Sequence, residues 1–283
     1  AQLYFNDSNY QLSINSLEKI SNKFDSIDLY KLMLLIYRKL DDIKMQIEIS
    51  NQIIKIFPDD TFGYNSLVLI YINQGKYDKA MKTLSSITKY FPDEAYTNYY
   101  FGLLADIKDN TVQAREYYNM ALKEYPTAKE IIFSLALNYE NNYEFSVSDS
   151  LLEQFISDSP TAGDKNDYAY IISKRDNVNA KQLNNLLKLA LEALDEKPAS
   201  PEFLDTVGYI YYKLGNINKS IYYLELSLKQ DNDNIVILSH LLDAYYKINN
   251  FIKADELIET INNIDSTFLI DMNKYYMLKS NEK

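Results

Sequence analysis

Ile70–Glu94 reads IYINQGKYDKAMKTLSSITKYFPDE, and Ile210–Asn234 reads IYYKLGNINKSIYYLELSLKQDNDN. Few letters agree, yet the glycine, the apolar positions and the small residue after the turn fall in the same places. The prolines give the interval: Pro58, Pro92, Pro126 and Pro160 are each 34 residues apart. A fixed period of this size marks a repeat architecture. Within each period lie two apolar-periodic segments of roughly a dozen residues, joined by a short turn. In two periods the turn holds a glycine, Gly75 and Gly215, which takes positive φ without penalty. Helices this short are marginal alone, so the pairs must stack on their neighbours to bury their apolar faces.

Composition agrees. The chain has 283 residues, 47% of them hydrophobic, enough for a sizeable core. Six glycines and six prolines are too few for a turn-dense β architecture and favour long runs of helix. Tyrosine is abundant, at 27, and tryptophan is absent, a mix that reads first as codon bias. The formal net charge of −11, with no run of Lys or Arg long enough to make a patch, repels phosphate backbones. Nucleic acid is therefore not an expected partner. The absence of cysteine excludes disulfides, thiolate metal sites and a thiol nucleophile. The longest apolar runs, such as LMLLIY at Leu32–Tyr37, are too short to span a bilayer, so no transmembrane segment is expected. The chain starts at Ala1 without a basic segment and apolar core behind it, and a processing boundary is the expectation there.

The period, the paired helices and the proline-marked link resemble the tetratricopeptide repeat. Repeats lay out as 27–60, 61–94, 95–128, 129–162, an irregular 163–200, 201–234 and 235–266. A partial repeat in 1–26 precedes them, with 9–24 as its second helix, and 267–283 is expected to form a capping helix. Small residues recur where the helices cross, as Ala80, Ala114, Ser148, Ser220 and Ala254. Small residues on the first helix are Gly102, Ala136, Ala169 and Gly208, and tyrosines near its end are Tyr37, Tyr71, Tyr139, Tyr211 and Tyr245. Some repeats depart from the pattern. Leu34 and Gln46 stand where small residues belong, a longer link at RDNVNAKQ shifts Pro198, and Asn232 and Ser266 replace proline. The resemblance implies an all-α fold: an α-solenoid of antiparallel helix pairs in a right-handed superhelix, one domain over 1–283.

In that family one stripe of each first helix, at i, i+3, i+7 and i+10, lines the concave surface where partners lie. The resemblance assigns to it Lys31 and Arg38, then Phe62, Asn65, Leu69 and Ile72, then Tyr96, Tyr99 and Leu103, then Phe133 and Leu137. Later repeats place Tyr170, Lys174, Asp205, Tyr209 and Asp243 there. The middle of the stripe is aromatic and apolar, as anchors for a protein or peptide segment are. The competing reading is packing between adjacent first helices. Lys31, Arg38 and Lys39 against Asp28 make a positive helix face, fit either for an acidic segment or for water. The lysine and asparagine pair by which some family members grip chaperone C-termini is absent, because Leu35 follows Lys31 one turn later.

Catalysis finds no support. His240 is the single histidine, near the packing face, which leaves no ordinary zinc or Cys/His site. GDKND at Gly163–Asp167 lacks the strand and spacing of a phosphate loop, and DNDN at Asp231–Asn234 joins two repeats. The triplets Asn6-Asp7-Ser8 and Asn218-Lys219-Ser220 are what chance supplies in an Asn-rich chain. No catalytic, cofactor or metal residue is assigned. The expected function is a non-catalytic protein-interaction scaffold that binds a peptide or helix of a partner in the concave groove. SPEFLDTVGYIYYKLGNINKSIYYLELSL at Ser200–Leu228 looks most like bacterial members, many exported or lipid-anchored, which implies envelope assembly or secretion. Two other readings compete: the regulatory or sensor region of a larger enzyme or signalling protein, and a self-associating structural module that forms a homo-oligomer.

Overall fold

The computed structural model describes residues 10–21, 26–91 and 95–265, which form fifteen helices and no strand. They are α1 Tyr10–Ser21, α2 Ile27–Lys39, α3 Ile43–Ile56, α4 Phe62–Asn73, α5 Tyr77–Tyr90, α6 Ala95–Ile107, α7 Thr111–Glu124 and α8 Lys129–Asn141. After these come α9 Phe145–Ser157, α10 Ala162–Lys174, α11 Ala180–Glu196, α12 Pro201–Lys213, α13 Ile217–Gln230, α14 Ile235–Lys247 and α15 Phe251–Ile264. The protein is an all-α solenoid. The expected cap at 267–283, Pro92, Ser266 and the Asn6 triplet lie outside the described residues.

One turn joins the helices of six pairs. The residue before each second helix's N-cap is left-handed: Asp41, Gly75, Asp109, Tyr143, Gly215 and Asn249, with φ between 53° and 78°. The N-cap amide then reaches back over the turn to a carbonyl five residues earlier. Those acceptors are Tyr37, Tyr71, Ala105, Tyr139, Tyr211 and Tyr245, at 2.8–3.0 Å. This closes the first helix with the bonding of a Schellman motif. The recurring tyrosines thus supply the carbonyl on which five of these six turns are hung, and Ala105 supplies the sixth. Asp42, Asn110, Asn216 and Asn250 start the second helices by accepting from the amide three residues on, at 3.0–3.4 Å. The irregular pair α10–α11 has no left-handed residue at this point. Arg175 is extended there (φ −62°, ψ 145°), and the link runs on to a capping box between Asn179 and Gln182.

The chain divides into two compact bodies, Ala1–Leu152 and Glu153–Lys283. Each is held by a series of small clusters and not by one large core, as stacked pairs require. In the N-terminal body these centre on Leu34, Ile49 and Ile53, on Val68, Leu84 and Leu104, and on Ala114, Tyr118 and Ile131. In the C-terminal body they centre on Ala169, Ala190 and Ile210, and on Leu224, Leu238 and Ile261. The small residues Ala80, Ala114, Ser148, Ser220 and Ala254 are fully buried. Gly102 shows why: a Cβ there would stand 2.5 Å from Cε1 of Tyr118 on the partner helix. Leu34 and Gln46, in place of small residues, are also buried, and Gln46 donates from Nε2 to the Tyr37 carbonyl at 3.2 Å.

Candidate functional site

Successive first helices of the N-terminal body touch, α4 against α6 and α6 against α8. Residues at helical spacing on these three elements therefore form neighbouring rows. Phe62, Asn65, Leu69, Ile72, Tyr96, Tyr99, Leu103, Phe133, Leu137 and Lys31 are all half-buried, and Arg38 is exposed. Leu69, Ile72, Tyr96, Tyr99 and Leu103 pack on one cluster, built on Val68, Leu84, Tyr100 and Leu104. Tyr99 and Leu103 also touch the following cluster and so bridge two repeats. Phe62 does not join this group; it packs on the preceding cluster. Phe133 and Leu137 sit one first helix further on, along α8.

Four tyrosines make the centre. The Tyr96 ring lies 6.3 Å from Tyr99, 6.5 Å from Tyr100 and 5.7 Å from Tyr125, while Tyr99 and Tyr100 are 5.3 Å apart. Tyr96 donates to Oε1 of Glu130 at 2.6 Å, and the Tyr99 hydroxyl lies 3.4 Å from Oγ of Ser134. The bond to Glu130, then burial, pushes the Tyr96 phenol up to about 12, and burial raises Tyr99 and Tyr100 as well. Arg38 stands within electrostatic reach of Tyr100 and opposes that rise. These phenols are neutral hydrogen-bonding groups on an apolar face. Lys31 is less available than its sequence position implies. Its Nζ lies 3.7 Å from Oδ2 of Asp60 and 4.8 Å above the Phe62 ring. Asn65 brings a carboxamide whose Oδ1 is buried with no donor on it from the described residues.

Two arrangements escaped the sequence. Asp106 accepts from Tyr118 at 2.7 Å and from the Asn138 amide, and Asn138 accepts from Nε of Arg115 at 2.6 Å. Arg115 completes the chain by pairing with Glu144 at 2.7 Å and lying 3.9 Å over the Tyr139 ring. Asp106 and Asn138 lie 32 positions apart, two short of the repeat period, so the periodic pattern did not mark their pairing, and nothing pointed to Arg115. In the C-terminal body His240 has a specific partner, its Nδ1 lying 2.8 Å from Oδ1 of Asp205. Among the described residues no group of three or more His, Asp or Glu side chains is placed to hold a metal ion. No described helix is long and apolar enough to cross a membrane.

Profiles of the tetratricopeptide repeat match residues 67–94 and 201–234. This chain carries tetratricopeptide repeats. Such repeats mediate protein–protein interaction and are typically non-catalytic scaffolds. No curated protein sequence matches the chain. Among solved structures, a chain of the APC/C heterotetramer Cut9–Hcn1 is similar at 14% identity and a TM-score of 0.72. That match covers 95% of this chain and 52% of the other, so this chain spans about half its length. Pseudomonas aeruginosa PilF is similar at 13% identity and a TM-score of 0.58, over 78% of this chain and 96% of its own. A monomeric IFIT1 variant with m7Gppp-AAAA is similar at 13% identity and a TM-score of 0.62, over 92% and 67%. Likeness at this identity is likeness of tetratricopeptide fold alone.

Proposed function

We propose that the N-terminal body is a non-catalytic docking surface that holds an extended or helical segment of another protein against the belt of Leu69, Ile72, Tyr96, Tyr99 and Leu103. The observation that carries this is the belt itself, an apolar and aromatic strip that spans two repeats and stays half-exposed. Burying a few apolar side chains at about 1.5–3 kcal/mol each supports micromolar affinity after ordering costs. RNA, present as m7Gppp-AAAA in the IFIT1 structures, fits this chain poorly, since a net charge of −11 opposes a phosphate backbone. An envelope or secretion setting is supported by the resemblance of Ser200–Leu228 to bacterial members.

The test is capture of partners from lysate of the source cell by the full chain, beside a Tyr96→Ala, Tyr99→Ala variant whose helicity and melting are checked. A partner held by the parent and lost by the folded variant supports the reading and identifies the pathway. Equal capture by both overturns it and makes these tyrosines packing residues. Light scattering across a dilution series examines the self-associating module separately, since a monomeric docking protein keeps its mass on dilution.

A further inference from the structure

One helix runs against the charge of the chain. The formal net charge is −11, yet α5 with its N-cap carries Lys76, Lys79, Lys82 and Lys89 against one acid, Asp78. Every other second helix is balanced, acidic or in excess by a single cation. These lysines form no run in the sequence, but spacing at i, i+3 and i+10 sets Lys79, Lys82 and Lys89 on one side of the helix. All three are exposed, away from the buried Ala80, Leu84 and Ile87. Lys82 is the departure: the same repeat position holds Glu48 on α3, Glu116 on α7 and Glu256 on α15. By contrast Lys253 pairs with Glu225 at 3.1 Å, and Arg115 with Glu144 at 2.7 Å. Among the described residues no carboxylate lies within ion-pair distance of Lys79, Lys82 or Lys89.

We infer that this face of α5 is a second docking site, which takes an acidic segment of a partner protein and pairs its carboxylates with Lys79, Lys82 and Lys89. Nζ of Lys79 lies 5.7 Å from the Tyr71 ring centroid and Nζ of Lys89 5.3 Å from that of Tyr90. A neutral ring steadies an ammonium without cancelling its charge, so both groups keep their pull on an anion. Lys82 has neither ring nor carboxylate. An apolar segment laid here would desolvate three ammonium groups with nothing in return. The strip is about 15 Å long, the reach of about five extended residues. Charges in water are screened beyond about 8 Å at physiological salt, so for a ligand of this length the strip outweighs the net charge. A nucleic-acid strand carries its charge onward at every nucleotide. It would meet Glu48 and Glu116 at the same place on the preceding and following second helices. None of these lysines belongs to the belt on the first helices, so this site stands or falls independently of the proposal above.

The chain has no tryptophan, so a single tryptophan on a probe peptide reports binding by its own emission. The probe is hexaglutamate with one terminal tryptophan, titrated with the full chain at physiological salt. Its comparison is hexaglutamine with the same tryptophan, which keeps the size and removes the charge. Hexaglutamate is expected to bind at least about tenfold more tightly, and added salt should weaken it. Lys82→Glu installs the residue that α3, α7 and α15 carry at this place, and should weaken hexaglutamate about five- to tenfold. Lys188→Glu makes the same change of net charge at an exposed position on α11 and should weaken it less than about twofold. Equal binding of the two peptides, no binding of either, or equal loss in Lys82→Glu and Lys188→Glu would overturn the assignment. A single-stranded RNA hexamer bound as tightly as hexaglutamate would overturn the choice of a protein segment. Self-association of the chain that Lys82→Glu abolishes, read by light scattering, would give the face to a second copy instead. Melting curves for each variant separate lost binding from lost fold, and Lys82→Gln carries the test if Lys82→Glu does not fold.

Discussion

The Tyr118 hydroxyl donates to Oδ2 of Asp106 at 2.7 Å, from a ring with no exposed surface. Burial and this bond to an acidic acceptor raise the phenol well above its ordinary range, so it stays protonated as a donor. The other Asp106 oxygen takes the Asn138 amide, and Asn138 in turn takes Arg115. One carboxylate thus ties a repeat to itself, through Tyr118, and to the next repeat, through Asn138. Asn138→Ala leaves an Asp106 oxygen and Nε of Arg115 without their partner and should cost about 1–3 kcal/mol in urea unfolding. Tyr118→Phe and Asn138→Ala act through one carboxylate, so their combined effect should depart from the sum by about 0.5–3 kcal/mol in a double-mutant cycle.

Gly102 faces the same ring from behind. A methyl group there would lie 2.5 Å from Cε1 and 2.6 Å from Cδ1 of Tyr118, and that ring is pinned at its far end by Asp106. Gly102→Ala should destabilise the N-terminal body by about 1–3 kcal/mol, the usual cost of overpacking a tight contact. Gly102→Ala in a Tyr118→Leu background should cost less, because the smaller side chain yields. Equal costs in both backgrounds, read from denaturant midpoints, would mean that the ring is not what the methyl group meets.

Non-glycine residues in the left-handed turn carry a conformational cost that glycine avoids. Tyr143 has φ 60° and is 81% exposed, so its side chain buries little in return. Tyr143→Gly is expected to raise stability by up to about 1 kcal/mol. Gly75→Ala and Gly215→Ala, at φ 66° and 78°, should lower it by about 1–2 kcal/mol. Thermal melts of the three variants check both signs.

The same turn explains what the sequence discloses. Helix pairs, small crossing residues and tyrosines all follow a period, and stacking forces each repeat to solve one packing problem with similar residues. Asp41, Asp109, Tyr143 and Asn249 share the geometry of Gly75 and Gly215 without sharing the letter, so a search for glycine finds a third of these turns. The belt residues were visible as a stripe, but Phe62 turned out to face the preceding cluster, because spacing gives a side and not a depth. Asp205 and His240 lie 35 positions apart, one residue off the 34-residue period, so the periodic pattern that exposes the fold passes over their pairing.

Alkaline titration tests the Tyr96–Glu130 contact. The folded phenol is pushed from the ordinary 10.0 to about 12, first by the bond it donates to Glu130 and then by burial. A raised folded value means that the neutral form is favoured by folding. Its stabilising contribution is complete below pH 10 and is lost as the pH rises through 12. Tyr37 behaves alike, raised to about 12 by burial and by Glu18. Tyr96 retains much contact with solvent, and screening keeps its share of global stability small. The readable quantity is therefore the ionisation itself, followed by tyrosinate absorbance. Glu130→Gln removes the charge that holds the proton, and Tyr96 should then ionise earlier, with lesser shifts at Tyr99 and Tyr100, which the same carboxylate also raises, while helicity at neutral pH is unchanged. Tyr96→Phe should delete that same step from the titration of the Glu130→Gln chain. A curve that ignores Glu130→Gln would mean that burial alone holds Tyr96 neutral, and the belt would lose the contact that fixes this ring against α8.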